Sequence, residues 1–185
     1  MSKAMKVTLG EFAPHEGAKR WGFVTQAKKL RLASALADGT INISPAWFVV
    51  VDQTVYVALD PDVGDPIHTS TPDAKHLEII EAGGRIAVII DEGDAINDVC
   101  AVRISGTGKI VEDEALIEQL HDLVAEKYFY VDHPHLGYYF SAGMVLTRRW
   151  CQVVEDELEA WDLRVLSQAP IQDHLPFPEH LLGAD

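Results

Sequence analysis

Lys75 and His76 follow Thr69, Ser70 and Thr71 near the start of TPDAKHLEIIEAGG, a stretch that reads as a helix. Thr71 suits the N-cap, Pro72 the first helical position, and Gly83-Gly84 the stop. The free N–H groups and the positive dipole end of such a helix attract an anion, and a lysine adds a full charge, so a dianionic phosphate fits there. Composition alone favours the plainer reading of a capped helix with a solvated lysine.

Other residues invite chemistry less strongly. Arg31, Arg85 and Arg103 each begin or interrupt an apolar run. Facing a cleft, one could hold a phosphate with two parallel bonds; facing outward, it merely solvates a sheet. Arg31 is the choice among the three. Asp132, His133 and His135 form a His-x-His pair with a neighbouring carboxylate, and His121 could add a ligand. Pro134 and the surrounding aromatics favour an ordered loop over a pocket, so no metal is expected. No nucleophile motif, P-loop, dinucleotide-binding glycine pattern or catalytic carboxylate pair is found, which leaves hydrolysis and ATP chemistry unsupported.

A chain of 185 residues, 48% apolar and 24% charged, is long enough for one domain with one core. The net charge of -14 argues against nucleic acid as a partner, since phosphate neutralisation needs a basic stripe. Nothing reads as a bilayer span or a secretory signal, so the expected location is the cytoplasm. Cys100 and Cys151 show neither pairing nor ligand spacing and read as buried hydrophobes.

These residues must be positioned by a series of strands and helices. Residues 16–29 carry Trp21, Val24 and Ala27 on one helical face. Three strands follow at residues 30–36, 40–51 and 54–59, divided by turns at Asp38-Gly39 and Asp52-Gln53. Pro45, lacking a donor, belongs at a bulge or an edge. After the helix at Thr71 come the strands RIAVIIDEG and VCAVRISGTGKIVED, the latter with Gly106 and Gly108 as bulge or close-approach points. Leu116, Leu120, Leu123 and Val124 mark another helix, and MVLTRRWCQVV and LEAWDLRVL read as two late strands. Hairpin turns leave no room for helical crossovers, so the fold class is mainly β: an antiparallel barrel with helices added. The organisation is a segment 1–29 with a short helix, a barrel over 30–166 and a tail 167–185.

The succession resembles the FMN-binding split β-barrels related to pyridoxamine 5'-phosphate oxidase. It rests on the strand, Asp-Gly turn and INISPAWF of residues 30–48, on TPDAKHLEIIEAGGRIAVIID, and on VRISGTGKIVEDEALIEQLHDLVAEKY. Two places depart from the pattern: the loop 61–70 is longer, and Asp73-Ala74-Lys75-His76 stands where the family has Ser-Arg-Lys. The resemblance implies FMN bound between the subunits of a homodimer. It sets the ring along Ser44, Pro45, Ala46 and Trp47 and the phosphate near Ser70, Thr71, Lys75 and His76, and it brings Arg148, Arg149 or Trp150 toward the partner's cofactor. It implies a flavin-dependent oxidoreductase acting on a small molecule. A deazaflavin-dependent reductase and a non-enzymatic flavin- or haem-binding protein are the alternatives, and the residues after Trp161 lack the Arg and His pattern with which pyridoxamine 5'-phosphate oxidase holds its substrate.

Overall fold

The computed structural model describes residues 17–36, 38–61, 72–94, 98–129, 137 and 148–165. Helix α1 (Gly17–Gln26) leads into strands β1 (Leu30–Ala35), β2 (Ile41–Ala46), β3 (Phe48–Val51) and β4 (Thr54–Leu59). Helix α2 (Pro72–Glu81), strands β5 (Arg85–Glu92) and β6 (Cys100–Ile110), helix α3 (Glu114–Tyr128) and strand β7 (Arg149–Asp162) follow. Every strand pairing is antiparallel, in the order β2-β1-β5-β6-β7-β4-β3.

That order explains the shape. β2 and β3 are the two edges of a seven-stranded sheet, yet Trp47 alone separates them in the chain. One residue reaches only a few ångströms, so the sheet must curl until its edges meet. The result is a split barrel whose seam lies at Trp47, where the Ala58 N–H donates to the Trp47 carbonyl at 2.9 Å. The expected single strand over 40–51 is therefore two, and Pro45 lies on an edge strand, where a residue without a donor is tolerated.

Alternation fills the barrel. Leu30, Leu32, Val55, Val57, Leu59, Val88, Ile90, Val102 and Ile104 point inward, and Trp21, Val24 and Ala27 of the α1 region close one end. A second cluster, with Val49, Tyr56, Ala58, Leu120, Val124 and Trp150, seats α3 against the other face of β3, β4 and β7. Asp113 starts α3 by accepting from the Leu116 N–H at 2.9 Å. The β3–β4 turn sets both Asp52 (φ 48°) and Gln53 (φ 62°) in the left-handed region, as a two-residue hairpin of that hand requires.

The two late strands expected from the sequence are one continuous strand, β7, of 14 residues. Its acidic middle reads as a break in one dimension, but in the sheet it is an exposed face opposite arginines. Arg85 pairs with Asp156, and Arg103 with Glu159 and, at 3.9 Å, Glu157. The register shifts between Ser105 and Gly106, whose partners are Glu157 and Glu155, so Asp156 is the extra residue of a bulge. The last residues of LEAWDLRVL form a 3-10 turn, Leu163–Val165. Cys100 and Cys151 are buried free thiols, pushed up by burial to about 11 and about 12. No helix among the described residues is long and apolar enough to cross a membrane.

Candidate functional site: a cleft at the barrel seam

A cleft of about 350 Å³ opens where the sheet edges meet. Pro45, Ala46 and Trp47 form one wall. Lys28, Lys29 and Leu30, from the link between α1 and β1, border it, and Ala58, Asp60, Asp73 and Arg148 close it below. The β4–β7 pairing sets Leu59 opposite Arg149, which brings Asp60 beside Arg148 one step on. Arg148 donates from Nε to Asp60 Oδ1 at 2.8 Å and from Nη2 to Oδ2 at 3.0 Å, with its side chain 0% exposed. Its guanidinium carbon lies 5.6 Å from the Trp47 ring centre. The Asp60 N–H donates in turn to Asp73 Oδ2 at 2.9 Å. Burial holds the Asp73 carboxyl above its ordinary range, against the lowering effects of that hydrogen bond and of Arg148.

Trp47 is fixed from behind. Its ring stacks on Tyr128 at 5.3 Å and meets Phe129 edge-on at 5.5 Å. The Tyr128 hydroxyl bridges the Phe48 N–H and C=O, each at 3.2 Å, and burial raises it to about 12. Beside it the Lys127 ammonium, buried and without a hydrogen-bond partner among the described residues, lies 3.5 Å from the Phe48 ring centre. Burial first, then the nearby Lys28, lowers it to about 7. The unfolded chain therefore binds more protons than the folded one between pH 7 and the ordinary 10.5, and stability is lowest below that window. Lys127→Met should stabilise the protein by about 1–2 kcal/mol at pH 7, the lost contact with Phe48 offsetting part of the relief, and the gain should vanish near pH 10. Urea midpoints of the two proteins at the two pH values measure it.

The structure divides the residues singled out above. It brings Pro45, Ala46 and Trp47 into the cleft, with Arg148. Ser44 turns inward: its hydroxyl lies 3.0 Å from His76 Nε2, while the Ser34 hydroxyl lies 2.8 Å from Nδ1. His76 is wholly buried, lowered by burial to about 4, and both ring nitrogens are engaged, so it braces α2 against β1 and β2 and has nothing left for a phosphate. Lys75 points to solvent and pairs with Glu78 at 2.8 Å. Arg31 lies half-exposed on the outer face against Asp91, outside the cleft. Trp150 is buried beneath α3, its ring 5.8 Å from His121, and does not line the cleft of its own chain. Arg149 pairs with Glu81 at 3.6 Å on the surface. Ser70, Thr71, Asp132, His133 and His135 lie outside the described residues. Among those described, no group of three side chains is placed to hold a metal ion. Lys28, Lys29 and Asp60 carried no expectation, and Asp73 stood out only in the departure from the family's Ser-Arg-Lys.

Fold and cleft together define a class, the antiparallel split barrel with a polar cleft at its seam. The model of the pyridoxamine 5'-phosphate oxidase family matches residues 21–154, and the chain belongs to that family. No curated protein matches it. Among solved structures, a conserved hypothetical protein of Mycobacterium tuberculosis is 20% identical, with a TM-score of 0.63 over 84% of this chain and 89% of that one. HutZ, the haem storage protein of Vibrio cholerae, is 16% identical with a TM-score of 0.57 over 78% and 94%. An FAD-binding protein of Mesorhizobium loti is 16% identical with a TM-score of 0.53 over 78% and 92%. At such identities the likeness is one of fold.

Proposed function

We propose that the chain binds FMN in the seam cleft and serves, as a homodimer in the cytoplasm, as a flavin-dependent oxidoreductase of a small molecule. The observation that carries this is the make-up of the cleft in a chain of this family: an edge strand at Pro45 and Ala46, an aromatic wall at Trp47, and three cationic side chains, Lys28, Lys29 and Arg148. Alternate backbone groups of an edge strand face away from its neighbour and can match the donor and acceptor pattern of a flavin's pyrimidine edge. The cations suit a phosphate. The residues present therefore fit the group. Bound there, a flavin supplies hydride or electron transfer, while the protein supplies position and electrostatics.

The volume supports a shared site. About 350 Å³ is at the small end for a small-molecule pocket, so one chain would enclose such a ligand only in part. Close by, Ile41 and Ile43 on the outer face of β2 are each 62% exposed, beside Ala33 and Ala35 on β1. An apolar sheet face of this kind on a soluble chain marks an interface, and a second copy would cover both it and the open cleft.

A ligand bound only by the assembled dimer stabilises it by RT ln(1 + [L]/Kd), about 2.7 kcal/mol at a hundredfold excess over Kd. The melting temperature should rise with FMN and with protein concentration, and less with riboflavin. A thermal-shift series with FMN, riboflavin, a deazaflavin and haem at two protein concentrations tests the reading. A shift confined to deazaflavin or to haem would replace FMN by that group, and no shift with any would remove the cofactor reading altogether.

A further inference from the structure

Arg148 is held for use on one side only. A guanidinium carries five N–H donors in a planar fork. Asp60 takes one from Nε and one from Nη2, and this bidentate grip fixes the plane. Nη1 is buried and has no hydrogen-bond partner among the described residues, and the side chain, 0% exposed, lines the cleft. An orphaned buried donor costs about 1–3 kcal/mol, and a charged one more, unless a ligand completes it. Among the described residues His121 Nε2 and Trp150 Nε1, in rings 5.8 Å apart, are also buried without partners. Arg148 helps, after burial, to lower the His121 imidazole, which keeps that ring neutral beside it.

We propose that the Nη1–Nη2 edge of Arg148 is an oxyanion-binding fork in the seam cleft, with Asp60 as the positioning residue that aims it. The ligand group is a phosphate or carboxylate, whose two oxygens match the fork in one plane. Lys28 and Lys29 at the border draw the anion in without fixing its geometry, as compact charges on flexible stems do. The inference rests on the flavin reading only for the source of the oxyanion, which is either the cofactor's own phosphate or the anionic group of a substrate bound beside the flavin.

Full-length wild type and Arg148→Lys are titrated with FMN and riboflavin by flavin fluorescence. Inorganic phosphate is followed by thermal shift on both the flavin-free and the riboflavin-loaded protein. Lysine keeps the charge but loses the fork. Should Arg148→Lys fold poorly, Arg148→Gln with Asp60→Asn removes fork and carboxylate together and leaves no unpaired charge. Arg148→Lys is expected to lose about ten- to a hundredfold in affinity for the oxyanion. If the preference for FMN over riboflavin collapses by that factor, the oxyanion is the cofactor's phosphate. If the preference stands and the response to inorganic phosphate on the riboflavin-loaded protein is lost, it belongs to the substrate. An unchanged preference together with an unchanged phosphate response, or wild type showing neither, overturns the fork. Wild type that binds no flavin would overturn the flavin reading instead, and phosphate on the flavin-free chain would still decide the role of Arg148.

Discussion

Gly106→Ala is expected to destabilise the protein by about 3 kcal/mol or more, roughly 10 °C in melting temperature. A Cβ at Gly106 would stand 1.9 Å from the Val154 carbonyl oxygen, 3.0 Å from its carbon and 3.1 Å from the Asp156 nitrogen. All three are backbone atoms of the bulge in β7 and cannot swing away as a side chain would. Relief requires β6 and β7 to part where the register shifts, at the longest pairing in the sheet. Gly22→Ala is the control. In α1 nothing lies within 4 Å of the added methyl, so the helical preference of alanine should dominate and stability should rise by about 0.5–1 kcal/mol. Thermal denaturation of the two variants decides between them, and a Gly106→Ala protein as stable as wild type would contradict the close approach.

A second large effect is expected in acid. His76 is buried between the Ser34 and Ser44 hydroxyls, and burial lowers its folded-state value from 6.5 to about 4. Between those values the unfolded chain binds the proton and the folded one does not, so stability is full above about pH 6.5 and falls as the pH drops toward 4. At about 1.4 kcal/mol per pH unit, the window is worth about 3 kcal/mol. His121, also lowered by burial, adds in the same direction, whereas the raised Asp73 carboxyl opposes it. The carboxyls of Asp38 and Asp162, held low by their hydrogen bonds, contribute their losses only below the ordinary carboxylate range. Urea midpoints from pH 7 to 4.5 for wild type and His76→Asn isolate the imidazole. The wild-type curve should fall steeply while the variant, less stable at pH 7, falls much less; parallel curves would mean that His76 charges freely in the folded protein.

The two predictions concern residues that the sequence reads in very different ways. Gly106 stands out by type, because an isolated glycine in an apolar strand marks a bulge or a close approach, and the structure puts a bulge opposite it. His76 next to Lys75 reads as part of an anion cradle at a helix start, and it is instead a buried brace. What separates the two is the turn of the helix. Neighbouring helical residues point about 100° apart, so one of an adjacent pair can face the core while the other faces water. Sequence order alone does not say which, because both are polar.

Taken alone, the sequence determined whatever depends on local backbone chemistry and periodicity. Asp52-Gln53 turns the chain between β3 and β4, the pattern of Trp21, Val24 and Ala27 makes a buried helix face, and the ordered succession of elements is enough to identify the split barrel. Only the tertiary structure decided that the stretch 40–51 divides at Trp47, since that break arises from closing a seven-stranded sheet and not from any turn residue. It also decided the cleft. Arg148 and Asp60 are far apart in the chain and meet because β4 and β7 are neighbours in the curled sheet, a pairing that no local pattern encodes. The charges that line the seam cleft are Lys28, Lys29, Asp60, Asp73 and Arg148, whereas Lys75 and Arg31, more prominent in the sequence, find carboxylates on the outer surface and spend their charge there.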